Sequence, residues 1–308
     1  MNTVPSITLT QPVVHPLGSQ PFDYINLKHC FETSPPPRDD VLPGLPPGAV
    51  GGFVAAGGVG KSFLAMQLSC CLSAGKNDFM GLWRDKQFNA GQVLFLSAED
   101  PLVEIHRRLF SIGVHWPAAD RDFIFERLHL ADRHGRRGND LFDDAFAQAI
   151  VDQAADHRLI VIDTLRRFHK ADENDGGAMA ELVARLEWIA HESGAAVLFL
   201  HHVSKAAALA GDGGAQQASR GSSVLTDNSR FQLNLVSMED SEAKKFGVAD
   251  EQRRYFVRLT SSKLNYSTPL GNLWLRRGEG GVLVKAVLSE ADGGRERRRM
   301  AKEGRNEL

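Results

Sequence analysis

Eight consecutive residues, Ala55-Ala56-Gly57-Gly58-Val59-Gly60-Lys61-Ser62, constrain this chain more than any other stretch. They stand between an apolar, β-rich run at residues 49–55 and a helically patterned run from Ser62 to Ser73. Three glycines let the backbone curl so that successive N–H groups point inward, and the first turn of a helix adds partial positive charge. The pairing is an anion cradle. Lys61 is then placed to meet the outer phosphates of a nucleotide such as ATP, and the Ser62 hydroxyl to ligate Mg²⁺. The expected nucleotide contacts are Gly57, Gly58, Val59, Gly60, Lys61, Ser62 and Phe63. Ala55 stands where such a loop ordinarily opens with glycine, a departure that leaves the curl to Gly57 and Gly58. A fortuitous glycine-rich turn with a surface lysine would not need a strand before it and a helix after it.

The flanking pattern predicts an α/β fold. Apolar runs at 49–55, 92–96, 128–131, 159–162 and 196–200 read as strands, and 62–73, 101–112, 141–155 and 179–191 as helices. Continuously apolar strands suit a parallel sheet buried on both faces, and their alternation with helices is the βαβ signature. Past Arg230 the pattern changes to short strands at 231–236, 254–259, 273–275 and 282–284. The expected architecture is a P-loop core with a mostly parallel central sheet, extended by C-terminal antiparallel strands. Proline density marks residues 1–47 as an arm and linker, 48–290 as the ATPase domain, and the charged, apolar-poor 291–308 as a flexible tail.

The formal net charge of −2 excludes a globally basic nucleic-acid binder, so any such contact must rest on local charge. Three cysteines read as free thiols rather than a disulfide or metal framework. No apolar run approaches the roughly 18 residues of a membrane span, and no leader pattern opens the sequence. The expectation is a cytoplasmic protein without membrane partners.

Three further strand ends carry chemistry. Leu159-Ile160-Val161-Ile162-Asp163 puts an acid at the end of an apolar strand, the Walker B pattern for a second Mg²⁺ ligand. Phe95-Leu96-Ser97-Ala98-Glu99-Asp100-Pro101 ends in adjacent acids. Asp before Pro reads as a helix cap, which leaves Glu99 to polarise the attacking water. Leu198-Phe199-Leu200-His201-His202 ends in two imidazoles, and a group there is placed to sense the γ-phosphate. Each has a plain structural alternative as a turn former, a solvated strand end or a satisfied histidine. The stretch 203–217, with Lys205 its one cation, reads as a mobile functional loop beside the nucleotide site.

These motifs in this order resemble the RecA-like ATPases, and among them the hexameric replicative DNA helicases of IncQ-type plasmids (the RepA family). The resemblance spans about residues 38–290 and rests on Ile162-Asp163-Thr164-Leu165-Arg166-Arg167-Phe168-His169, on Phe199-Leu200-His201-His202 and on residues 216–225. Residues 252–258, Lys263, Asn265 and Tyr266, and the pair Arg276/Arg277 also fit. It implies a homo-hexameric ring that hydrolyses ATP with Mg²⁺, moves along single-stranded DNA and works beside other replication proteins. On that resemblance Lys61 and Ser62 are phosphate-loop residues, Glu99 the catalytic glutamate, Asp163 the Walker B acid and His202 the end of the sensor strand. Arg230 matches the arginine finger offered to a neighbour's site, with Lys263 a second trans-acting cation. The loop at 206–215 departs from the family in composition.

Two functions share this ATPase site. A translocating helicase needs cations for a single strand, which Lys170, Lys205 and the pair Arg166/Arg167 supply. A regulatory or loader ATPase without unwinding needs none.

Overall fold

The computed structural model describes residues 24–76, 81–82, 89–203, 224–225, 228–267 and 270–291. Residues 1–38 and 39–308 are two separate compact units. In the first, a short helix α1 (Leu27–Glu32) starts where the Asn26 side chain accepts the His29 N–H.

The second unit is built on one nine-stranded sheet of order β3-β2-β4-β5-β1-β6-β7-β8-β9. Its strands are β1 (Val50–Ala55), β2 (Gln92–Ser97), β3 (Leu128–Asp132), β4 (His157–Asp163), β5 (Ala196–His202), β6 (Phe231–Ser237), β7 (Phe256–Leu264), β8 (Leu273–Arg277) and β9 (Leu283–Lys285). The first six pair in parallel. The last three continue antiparallel from β6. The change of direction past Arg230 that the short strands suggest is therefore real.

Side chains of each parallel strand alternate between two cores. Phe53, Phe95, Val161 and Leu198 face a layer made of α2 (Lys61–Ala74), α3 (Leu102–Gly113) and α4 (Ala118–Arg127). Leu94, Ile160, Ile162 and Phe199 face α5 (Asp144–Gln153) and α6 (Gly176–Ser193). A strand with both faces covered has no polar alternation to show, which is why these runs are continuously apolar. Two short helices, α7 (Asp240–Phe246) and α8 (Asp250–Arg253), join β6 to β7.

Local signals set several boundaries. Asp143 caps α5 by accepting from Ala145 and Phe146, so the helix starts at Asp144 rather than at Leu141. Asp175 caps α6 in the same way, and Gly194 ends it in the left-handed conformation. Asp100 is not a cap. Pro101 holds that position without a side-chain hydrogen bond, and the Asp100 carboxylate is instead ion-paired with Arg108 at 2.6 Å. Pro101 fixes the extended backbone that enters α3, which moves the start one residue beyond the acid's reach.

Two anchors matter for the site. Gln67, fully buried in α2, donates to the Leu283 carbonyl and accepts from the Leu283 N–H, both at 2.9 Å. Its amide thus extends the ladder of β9 and docks the antiparallel wing on α2. At the other end, residues 39–45 fold back on the sheet. Val41, Leu42 and Leu45 are 0% exposed. Asp39 takes two guanidinium bonds of 2.7 Å from Arg158 on β4. The proline-rich stretch thus contributes core side chains well ahead of Gly48.

Leu45→Ala should lower unfolding stability by about 2–5 kcal/mol, the usual cost of emptying a fully buried leucine site. Urea titration followed by circular dichroism measures it. A loss below about 1 kcal/mol would mean that this segment is not part of the core.

Candidate nucleotide site

Four strand ends meet at one edge of the sheet. β1 delivers the glycine loop, β2 Glu99, β4 Asp163 and β5 the two histidines. Crossing from β1 over β5 and β4 to β2 opens a crevice at the carboxyl ends of the strands, where open α/β sheets take ligands.

The loop has the conformation that its glycines imply. Gly58 and Gly60 sit at φ of +76° and +106°. A Cβ on Gly60 would also stand 2.9 Å from a guanidinium nitrogen of Arg277. Ala55 is the last residue of β1 and fully buried, paired with His202 on one side and Leu235 on the other. It is a strand residue here, so the missing glycine costs the curl nothing. Arg277, at the end of β8, donates to the Val59 carbonyl at 2.6 Å. That contact braces the loop from the antiparallel wing and is invisible to motif reading.

Lys61, Ser62, Glu99 and His202 line one cavity of about 300 Å³, with Phe63, Asp100, Arg108 and Arg277 at its walls. Ser62 Oγ donates to Asp163 Oδ1 at 2.9 Å. Asp163 is 0% exposed, and its Oδ2 has no hydrogen-bond partner. Lys61 is 3% exposed with its ammonium likewise unpartnered. Glu99 and His202 are half-buried, 3.3 Å apart through Oε2 and Nε2.

The charges are tuned by this packing. Burial pushes the Lys61 ammonium down to about 8, against the pull of Asp163 and Glu99. Burial pushes the Asp163 carboxyl up to about 6, against the Ser62 hydrogen bond. The hydrogen bond from His202 holds the Glu99 carboxyl below the usual range. Burial pushes the His201 imidazole down to about 4, so it is neutral beside the lysine. A buried cation and a buried carboxylate, each with an unused polar atom, form a site short of a ligand. A phosphate supplies acceptors for Lys61. The hydroxyl of Ser62 and the free oxygen of Asp163 are hard oxygen donors of the kind Mg²⁺ takes.

Arg230 is not in this cavity. It is exposed at the start of β6. Because β6 runs parallel to β1, with Phe231 opposite Gly51 and Leu235 opposite Ala55, Arg230 lies at the opposite edge of the sheet from the glycine loop. Lys263 on β7 pairs with Gln232 and shares that edge. Lys205, Arg220 and the loop 206–215 fall outside the described residues. Among the described residues no cluster of three His, Cys, Asp or Glu forms a metal centre, and no helix is long and apolar enough to cross a membrane.

The model of the AAA domain family matches residues 21–208. Among solved structures, the ATPase domain of a helicase is similar, with a TM-score of 0.52 at 14% identity, over 78% of this chain and 85% of that one. The likeness places the fold among RecA-like ATPase cores. The family match ends near β5, so Arg230, Arg277 and the antiparallel wing lie beyond it.

Phosphates bind the charged form of Lys61. In the free protein that form is lost as pH rises through about 8. Measured in EDTA by calorimetry, affinity for a non-hydrolysable ATP analogue should be flat below that pH and fall by up to about ten-fold per unit above it. Lys61→Arg, which stays charged throughout, should be flat across the range. A wild-type affinity independent of pH from about 7 to about 10 would remove Lys61 from phosphate contact.

Proposed function

The chain belongs to the AAA domain family and is a P-loop ATPase, and we propose that it acts as a hexameric DNA helicase that couples ATP hydrolysis to movement along single-stranded DNA in plasmid-type replication. Lys61 meets the outer phosphates. Ser62 and Asp163 hold Mg²⁺, which neutralises charge developing on the phosphoryl oxygens. Glu99, ionised and held by His202 at 3.3 Å, orients the attacking water. His202 in turn links that carboxylate to the end of β5 and so to the loop at 203–217.

The observation that carries the assembly is the position of Arg230. Five residues of strand separate its level from the end of β1, about 16 Å at the rise of a β-strand. No arginine side chain spans that distance, so Arg230 cannot serve its own site. It is exposed where a second subunit can present its glycine loop. A guanidinium supplied in trans is worth roughly 10³ to 10⁵ in rate where it stabilises a transferring phosphoryl group. The likeness to a helicase's ATPase domain supports the fold on which this reading depends.

Glu99→Gln should bind ATP with Mg²⁺ and turn it over at least about 100-fold more slowly, the weight of a general base. Near-normal turnover in a steady-state assay would pass the role to another group.

Lys61→Ala rings have intact fingers and dead sites, and Arg230→Ala rings the reverse. Each alone should be inactive, and subunits mixed in equal amounts should recover turnover at the interfaces where an intact site meets an intact finger. Mixed rings that recover nothing would show that Arg230 does not act in trans. If single-stranded DNA left the turnover of wild-type protein unchanged, a regulatory or loader ATPase would be the better reading.

A further inference from the structure

A second cavity, of about 580 Å³, opens beside the nucleotide site between the β3–α5 loop and the turn that follows β4. Its lining is unlike the rest of the molecule. Arg133, Arg136, Arg137, Arg167 and Lys170 face it against the single carboxylate of Asp140, five positive charges less one, or +4 with histidines neutral. The whole chain carries −2. Arg136, Arg137 and Arg167 are exposed and have no ion pair or hydrogen bond through their guanidinium groups among the described residues. His169 lines the same cavity at 5% exposure, and neither ring nitrogen has a hydrogen-bond partner. The Glu173 carboxylate stands 3.8 Å from its Nε2.

The loop is built to hold this shape. Arg133 N–H donates to the Ser97 carbonyl at 2.7 Å, and Leu141 N–H to the Phe168 carbonyl at 2.8 Å. Asn139 clamps both ends of the turn, accepting from Arg133 Nε at 2.7 Å and donating to the Arg133 carbonyl at 2.9 Å. Gly135 and Gly138 take φ of +66° and +76° on either side of Arg136 and Arg137, a turn in which L side chains are strained.

We propose that this cavity binds the phosphodiester backbone of single-stranded DNA, a contact that rests on the helicase reading above and gives the strand its place. The chemistry favours a strand over a second nucleotide. A triphosphate with its metal needs an acid for the metal shell, and the one acid here is held by Lys170 at 3.3 Å. Phosphodiesters carry one charge each and need only separated cations, which is what two loops of arginines offer. A neutral His169 has one N–H to give to a phosphate oxygen. Arginine planes at 136 and 137 also provide faces on which bases stack without sequence preference.

The cavity borders the catalytic acid. Ala98 lines it, and the Ala98 N–H donates to the Asp163 carbonyl at 2.7 Å. The Arg167 charge acts on Glu99 from the cavity side. A strand that draws Arg167 toward its phosphates changes the field at Glu99, which links occupancy to hydrolysis.

The test uses full-length protein and a fluorescent thymidine 30-mer, with anisotropy read over a salt series in the presence of a non-hydrolysable ATP analogue. Arg136→Ala/Arg137→Ala should bind at least about ten-fold more weakly. Its slope of log K against log salt should fall by about 1.4, at about 0.7 per phosphate contact. Turnover without DNA should be unchanged. The control pair Lys76→Ala/Lys244→Ala, two exposed lysines elsewhere, should match wild type. Arg136→Gln/Arg137→Gln and thermal midpoints separate loss of contact from loss of fold. Wild-type affinity and slope in the double variant would overturn the site while leaving the helicase reading intact. A wild-type protein that does not bind the 30-mer at low salt would overturn both. Displacement of the strand by stoichiometric tripolyphosphate, lost in the double variant, would assign the cavity to a small phosphate ligand and overturn the strand contact.

Discussion

The buried ammonium of Lys61 is the constraint around which the rest of the site is arranged. Removing a charge from water is costly unless a partner is supplied. The fold brings two carboxylates near it and leaves its hydrogen bonds unmade. Asp163 is in the matching position, an acid pulled into the core by β4 and tied to Ser62. The two groups compensate each other in charge and are incomplete in hydrogen bonding, so phosphate and a hard cation are the species that complete them. The sheet order, the glycine turn and the placement of Glu99 all serve to keep that pair dry and aligned.

What can be read in the sequence follows from how each feature is encoded. Parallel strands buried on both sides announce themselves as apolar runs, and β1, β2, β4, β5 and β6 fall within two residues of where those runs lie. The glycine loop and the acid of β4 are local patterns, so their meeting is legible. Helix α4 is not. Its sequence Ala-Ala-Asp-Arg-Asp-Phe-Ile-Phe-Glu-Arg buries only Ile124, too little for a periodic stripe. The capping box of Glu239 and Glu242 that starts α7 is also obscured, lying between two strand signals. The segment 39–45 is hidden by its prolines, since proline density reads as a linker even where Val41, Leu42 and Leu45 pack at 0% exposure. Asp100 misleads because a proline after an acid usually marks a cap, whereas a partner two turns along, Arg108, takes the carboxylate.

Contacts far apart in sequence are out of reach. Arg277 stands in the sequence only as half of a matched pair, and nothing local joins it to Val59, 218 positions earlier. The arginines at 133, 136 and 137 look like a solvated charge run until the fold sets them against residues 167–170. The match to the AAA domain family stops near β5. The nucleotide chemistry thus belongs to the shared core, and the brace on the loop belongs to the wing that follows it.

That wing has a mechanical consequence. β6, β7 and β8 form one hydrogen-bonded plate. Arg230 sits on one rim of the plate and Arg277 on the other, with its guanidinium on the Val59 carbonyl. A plate of paired strands is stiff in its own plane, so a pull on the outer rim arrives at the inner rim with little lost to bending. In the proposed ring, a subunit whose Arg230 is drawn into its neighbour's site feels that tug at its own phosphate loop. Each site would then sense whether the next one along is loaded, and firing around the circle acquires an order and a direction from the tilt of a single piece of sheet.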